Sequence, residues 1–409
     1  GDSPYASFST FAGNPLLIDL DYLIKKGWAV KKQITPCEYI KAEGNVDFGS
    51  VVWWKMPILF NSAQYFLKNA NDEDLNLYKN FCKKSQSWLD MYSIFMSIKS
   101  FFDKKAVEEK SPSSIWYDYW PEPLASCSKD AVLEWKNNHK NEIELYKVIQ
   151  FFFDFQWQNL RRYANERNIQ IIGDIPIFVA IDSADVWANQ KYFQLSKNGR
   201  PLCLAGVPPD YFCATGQLWG NPLYDWTAMK SDGYTWWIKR IKRIFELTDI
   251  LRIDHFRGFS AYYEVLFGSD TAINGTWKKG PGIDLFNVVK TKLHNPKIIA
   301  ENLINLLNDF IDYLLKESNK DSNSNSSERE SSDMKKKNSQ TSQRASIDMP
   351  PSEGKELAMN FKELINSIPE IDYSKKLGLY KKIAFRICQF KVLYNKIKIF
   401  VHKIKLYIS

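Results

Sequence analysis

Three short apolar runs, each closing on a carboxylate, constrain the fold of this 409-residue chain more than any other feature. They are IQIIGDIPIFVA (169–180), TDILRIDHF (248–256) and NPKIIAEN (295–302). Runs this apolar and this rich in β-branched residues suit strands of a parallel sheet, which are covered on both faces. Residues 233–247 lie between the first two and alternate as an amphipathic helix. The strand–helix–strand rhythm predicts an α/β domain built on a parallel sheet. Asp174, Asp254 and Glu301 then fall at the C-terminal ends of the predicted strands. In a barrel of parallel strands that end carries the active site. The same position also suits a helix cap or turn former.

The remaining length leaves room for two or three domains, or for one large domain with insertions. Residues 60–103 read as helical, with Leu75, Leu77, Phe81, Trp88, Leu89, Tyr92, Ile94, Phe95 and Ile98 at helical spacing. Residues 130–168 form a second helical block. Residues 1–20 read as a Gly/Ser/Pro loop running into a short apolar strand. Trp187, Trp236 and Trp237 are expected in the core. No apolar stretch reaches the 18 or more residues of a membrane-spanning helix. Cys37, Cys82, Cys127, Cys203, Cys213 and Cys388 form no CxxC pair and no zinc-type cluster with histidine, so they are expected to be free thiols in a reducing compartment. No signal peptide is visible, and a cytoplasmic or plastid-like compartment is the expectation.

The net charge of +8 is localised. Residues 374–409 carry ten Lys and Arg and no Asp or Glu, so the rest of the chain is slightly acidic. This argues against a nucleic-acid-binding surface on the main body. Residues 316–353 are polar, low in complexity and free of aromatics, and are expected to be disordered. Beyond them Ile383, Ile387, Phe390, Tyr394, Ile397, Val401 and Ile404 form a helical seam flanked by lysines. That seam suits a membrane-surface or partner-binding helix, or a helix covering an exposed sheet, and membrane contact is the less favoured reading.

The chemistry concentrates at the second strand. Arg252 and Asp254 are two residues apart and therefore point to one side of it. A guanidinium beside a carboxylate favours the ionised form that a nucleophile needs, whereas an apolar setting favours the protonated form that a general acid needs. Glu301, closing an apolar run, is expected in the second setting. Two carboxyls pushed apart in this way suit double displacement at a glycosidic bond. GQLWGNP (216–222), with Gly and Pro about an indole, reads as an exposed loop that offers a flat apolar face and polar groups to a sugar.

The blocks GDSPYASFSTFAGNPLLID (1–19), QWQNLRRYANERNIQIIGDIPIFVAIDSADVWAN (156–189), AGVPPDYFCATGQLWGNPLYDW (205–226), RIDHFRGF (252–259), INGTWKKGPG (273–282) and KIIAEN (297–302) together resemble the 4-alpha-glucanotransferases, or amylomaltases, of glycoside hydrolase family 77. The resemblance covers about residues 1–303. It implies a TIM (β/α)8 barrel with helical insertions that acts on α-1,4-glucans and malto-oligosaccharides by a retaining mechanism, with no cofactor and no metal. It implies Asp254 as nucleophile, Arg252 as the arginine that holds it, and Glu301 as general acid/base. Tyr5, Asp182, Gln217, Trp219 and Asn221 match blocks near the bound glucan. His255 could reach the site or simply bond to backbone.

The resemblance also implies a third catalytic Asp, after a His in a downstream strand. Beyond Glu301 the sole histidine of the sequence is His402, followed by Lys403. The expectation is a barrel incomplete at both ends, supplying roughly its second to fifth strands, with slow turnover at most. A non-catalytic glucan-binding relative is the alternative. The expected division is a barrel segment with a glucan-site loop (1–45), a helical insertion (46–140), the barrel core (141–303), a helix and low-complexity linker (304–353) and a basic amphipathic tail (354–409).

Overall fold

The three apolar runs become neighbouring strands of one parallel sheet. The computed structural model describes residues 6–35, 46–211 and 213–301. In chain order its elements are α1 (Leu20–Lys25), α2 (Phe48–Asn69), α3 (Asp72–Glu108), α4 (Trp116–Tyr119), α5 (Glu122–Ala125), α6 (Lys129–Asn138), α7 (Lys140–Asn165), β1 (Ile172–Pro176), α8 (Ala184–Trp187), β2 (Cys203–Val207), β3 (Gln217–Pro222), α9 (Trp226–Ser231), α10 (Thr235–Leu247), β4 (Ile250–Asp254), β5 (Ala261–Leu266), β6 (Thr276–Lys279), α11 (Ile283–Leu293) and β7 (Ile298–Ala300).

β4 lies between β1 and β7, and both pairings are parallel. Leu251 and Ile253 of β4 are fully buried. The amphipathic stretch forms α10 and buries Trp236, Trp237, Ile241 and Ile244. Gly173 of β1 lets α10 and its C-terminal turn approach closely. A Cβ at this position would lie 2.8 Å from the Thr248 side chain. Just before β4, Asp249 ties the strand starts to α7: it pairs with Arg161 at 2.7 Å and accepts the Ile171 N–H at 2.8 Å.

The helical blocks are where the periodicity puts them, although the first begins earlier, at Phe48, and is split into α2 and α3 by Asn71, whose side chain caps α3 through the Asp74 N–H. Their core is aromatic. Trp28 packs against Phe66, Phe151, Phe152 and Phe155 with centroids 5.1–5.5 Å apart, and its indole N–H donates to Asp74. Trp187, Trp236 and Trp237 are buried, as expected.

Two expectations are corrected. The segment PLLID is not a strand. Residues Pro15–Leu17 form a 3-10 turn and α1 follows, because Asn14 and Asp19 each cap the next backbone N–H groups with their side chains. GQLWGNP is not a loop either. Gln217–Pro222 is β3, an outer strand of an antiparallel sheet of order β3-β2-β5-β6. Of the two glycines in GQLWGNP, Gly216 lies close to β2, where a Cβ would sit 2.4 Å from the Val207 carbonyl, and Gly220 takes a left-handed φ of 75° with open space around it. A Cβ on Gly206 of β2 would sit 2.6 Å from the Gln217 carbonyl.

Among the described residues no helix is long and apolar enough to cross a membrane. Tyr5, Cys37, the polar stretch 316–353 and the basic tail lie outside the described residues.

Candidate active site

Strand register gathers the predicted carboxylates. Arg252 is level with Asp174 on β1 and with Ile299 on β7, and Ile253 is level with Ala300. One residue further, Asp254 comes level with Glu301, whose N–H still donates to the Ile253 carbonyl at 3.2 Å. Residues level on adjacent strands share a face and successive residues alternate. Asp174, Arg252, Asp254 and Glu301 therefore project together, opposite the buried Leu251 and Ile253.

Arg252 joins them. Its Nη1 lies 2.5 Å from Asp174 Oδ2, and its Nη2 lies 3.0 Å from Asp254 Oδ1 and 3.2 Å from Glu301 Oε1. Asp174 foremost, and then Asp254, raise the guanidinium pKa above its ordinary value. Because Asp254 and Glu301 share one nitrogen, their nearest oxygens are at most roughly 6 Å apart. That is compatible with the ~5–5.5 Å of a retaining pair and short of most of the ~6.5–9.5 Å of an inverting pair. Side-chain exposures of 26% for Asp254 and 27% for Glu301 make this a solvent-facing cluster. Glu301 is thus not enclosed in apolar surroundings, contrary to expectation. The alternation of β7 turns its side chain onto the polar face, where it meets Arg252.

His255 meets Glu301 through its backbone and Trp219 through its ring. It adopts a left-handed backbone, φ 51°, and its N–H donates to Glu301 Oε2 at 2.6 Å. Its imidazole meets the Trp219 ring edge-on, with centroids 4.8 Å apart. Burial, helped by Arg257 and opposed by Asp254, lowers its pKa to about 4, so the ring is neutral at pH 7. Trp219 remains 36% exposed and donates its indole N–H to Gln217 Oε1 at 3.1 Å. The Asn221 side chain donates to the Val179 carbonyl at 2.9 Å, so it braces the segment after β1.

Asp182 makes a separate contact. It pairs with Lys99 of α3 at 2.7 Å, and its Oδ1 is buried with no hydrogen-bond partner among the described residues. Burial raises its pKa against the pull of Lys99. Tyr5 lies outside the described residues. Sequence reasoning missed Lys99 and the fully buried Arg240 of α10. The available signal for Arg240 was a cation three residues after Trp237, on the apolar side of a clearly amphipathic helix. Among the described residues no cluster of three or more His, Cys, Asp or Glu could hold a metal ion.

The chain as a whole is similar to known proteins of one family. A family model described as 4-alpha-glucanotransferase matches residues 1–322. The chain is 43% identical over 304 residues to a 4-alpha-glucanotransferase of Streptococcus pneumoniae, covering 74% of this chain and 58% of that protein. It is 39% identical over 313 residues to a chloroplastic/amyloplastic 4-alpha-glucanotransferase of Arabidopsis thaliana, covering 76% of this chain and 52% of that one. Among solved structures, the amylomaltase from Streptococcus agalactiae in complex with acarbose is similar with a TM-score of 0.67 and 37% identity, over 74% of this chain and 59% of that one. The chain therefore spans between half and two thirds of the length of these relatives. The three parallel strands are part of that TIM-barrel architecture; Asp254 and Glu301 close β4 and β7, whereas Asp174, expected at the end of β1, lies in its middle, two residues before Pro176. On the match over residues 1–322, this chain belongs to glycoside hydrolase family 77, the 4-alpha-glucanotransferase family.

Proposed function

We propose that this chain transfers α-1,4-glucan segments to the hydroxyl of a glucose or malto-oligosaccharide acceptor, with retention of configuration. The observation that carries this reading is the pair Asp254 and Glu301 on one Arg252 nitrogen. In the first step an Asp254 oxygen attacks the anomeric carbon while Glu301 protonates the departing glycosidic oxygen, leaving the donor segment esterified to Asp254. In the second step Glu301, now a carboxylate, takes the proton of the acceptor hydroxyl, and that oxygen displaces Asp254. Arg252 holds both carboxylates, and Asp174 anchors Arg252 from β1. The His255 N–H orients Glu301 from the other side.

Trp219 offers its exposed face to a sugar ring, with Gln217 and neutral His255 beside it and Asn221 bracing the segment beneath. Asp182 and Tyr5, which match family blocks near the bound glucan, are assigned to glucan binding on that resemblance. The acarbose-bound amylomaltase relative supports a sugar-like ligand here. The chloroplastic/amyloplastic naming of the Arabidopsis relative supports a plastid setting.

The test is incubation of the chain with maltotriose, with Asp254→Asn as the blank. Glucose and longer oligomers that form only with the wild-type chain are expected. Equal product in both, or none in either at high enzyme concentration, counts against the proposal.

A further inference from the structure

The segment that follows β1 is buried without being regular: Ile177, Phe178 and Val179 are 1%, 3% and 4% exposed. Buried carbonyls outside a ladder need partners from elsewhere. Here side chains supply them. Arg240 donates through Nη2 to the Pro176 carbonyl at 2.6 Å and through Nη1 to the Ile177 carbonyl at 3.0 Å. The Tyr224 hydroxyl also donates to Ile177, at 2.8 Å, and Asn221 takes Val179. In a strand, successive carbonyls point opposite ways. One guanidinium taking both 176 and 177 therefore turns the chain out of the sheet at Pro176, which is level with Asp254.

Arg240 is costly to keep. It is fully buried on α10, and among the described residues no carboxylate comes within ion-pair distance of it. Its Nε donates to Thr10 Oγ1 at 2.8 Å, and its guanidinium lies over the Trp237 ring at 4.7 Å. An apolar side chain here would leave the buried Pro176 and Ile177 carbonyls short of donors, so the guanidinium serves the path of this segment. What it fixes leads to the cleft. Phe178, inside the clamped segment, stacks on Tyr224 at 5.8 Å and reaches Trp219 at 6.5 Å. Asn221, two residues past Trp219 on β3, holds the same segment.

We propose that Arg240 is a positioning residue for the sugar platform: by clamping the carbonyls of Pro176 and Ile177 it sets Phe178, and through it the face of Trp219, relative to Asp254. The inference rests on the glucan reading of that cleft. The planar fork matters because it presents two donor nitrogens at a fixed spacing, where a lysine offers one nitrogen on a flexible stem.

The experiment uses the full chain as wild type, Arg240→Lys and Tyr224→Phe. Amide exchange is followed at residues 177–181 and 250–254, and maltoheptaose affinity is measured by calorimetry. For Arg240→Lys, exchange at 177–181 rises while 250–254 stays protected. The maltoheptaose Kd weakens about tenfold, the scale of one lost charge-assisted hydrogen bond. Where turnover is measured, KM rises and kcat holds. Tyr224→Phe removes one donor to Ile177 without touching the charge, and moves both readouts less in the same direction. It carries the test if Arg240→Lys fails to fold. Unchanged exchange overturns the clamp, and faster exchange with unchanged affinity overturns its link to the platform. A wild-type chain that does not bind maltoheptaose overturns the glucan reading and this inference with it, and the wild type alone shows it.

Discussion

Two arginines on either side of the sheet solve opposite problems. Arg252 stands on the polar face, 30% exposed, with Asp174, Asp254 and Glu301 around it. Arg240 stands behind β1, fully buried, and spends its donors on backbone carbonyls and a hydroxyl. The first gathers groups that can react and is held largely by charge in a solvent-facing site. The second holds the chain itself, by directional bonds in a dry interior. Charge that serves chemistry stays near water, where its partners can exchange it for substrate. Charge that serves the frame is buried, where losing one bond leaves a group unsatisfied.

The sharpest way to break this contrast is Arg252→Lys. A single ammonium cannot reach all three carboxylates, and transfer should fall about 10²–10³-fold, as on loss of one preorganised electrostatic group. The urea midpoint should correspond to a change under about 1 kcal/mol, because exposed ion pairs are worth little. Arg240→Met should show the reverse pattern. Loss of donors to Pro176, Ile177 and Thr10 should cost about 3 kcal/mol in urea unfolding. A small loss there would mean that water replaces the guanidinium.

The platform carries a smaller effect. Trp219→Ala should weaken maltoheptaose binding about tenfold and leave the unfolding midpoint nearly unchanged, since the ring is partly exposed already. Binding that is unaffected would remove Trp219 from the glucan site. A pH-dependent effect is expected at Asp185, buried beside the Arg240 network and accepting the Thr10 N–H at 2.6 Å. Burial raises its pKa from 3.8 to about 7. The folded chain therefore keeps a proton that the unfolded chain has lost between those values, so this contribution to stability is full below 3.8 and declines as pH rises through 7. Thermal unfolding at pH 5 and pH 8 should show a decline in the wild type that is shallower in Asp185→Asn.

How much of this was legible in the residues follows from which forces wrote it. IIGDIPI, LRIDHF and KIIAEN announce parallel strands through their β-branched residues, but within the strands themselves only Leu251 and Ile253 of β4 and Ile175 of β1 are buried, so the expected cover on both faces holds for neither β1 nor β7. The pairing of Arg252 with Asp254 follows from alternation alone. The meeting of both with Asp174 and Glu301 needed the register between strands, which is set by side chains far apart in sequence. The antiparallel sheet was hidden because Gly216, Gly220 and Pro222 about Trp219 mark turns in most chains, and here Gly216 permits close approach to β2. PLLID looked apolar enough for a strand, but the capping carboxamide of Asn14 and carboxylate of Asp19 decided for helical turns. Arg240 was visible only as a cation on the wrong side of a helix.

The central claim, that Arg252 assembles a retaining site with Asp254 as nucleophile, is tested most directly by trapping. The full chain is incubated with a fluorinated α-maltosyl fluoride that loads the enzyme quickly and leaves it slowly, then digested and analysed by mass spectrometry. A glycosyl adduct on the peptide bearing Asp254, absent in Asp254→Asn and formed far more slowly in Arg252→Lys, is the predicted result. An adduct on another residue, or one that persists in Asp254→Asn, would contradict it.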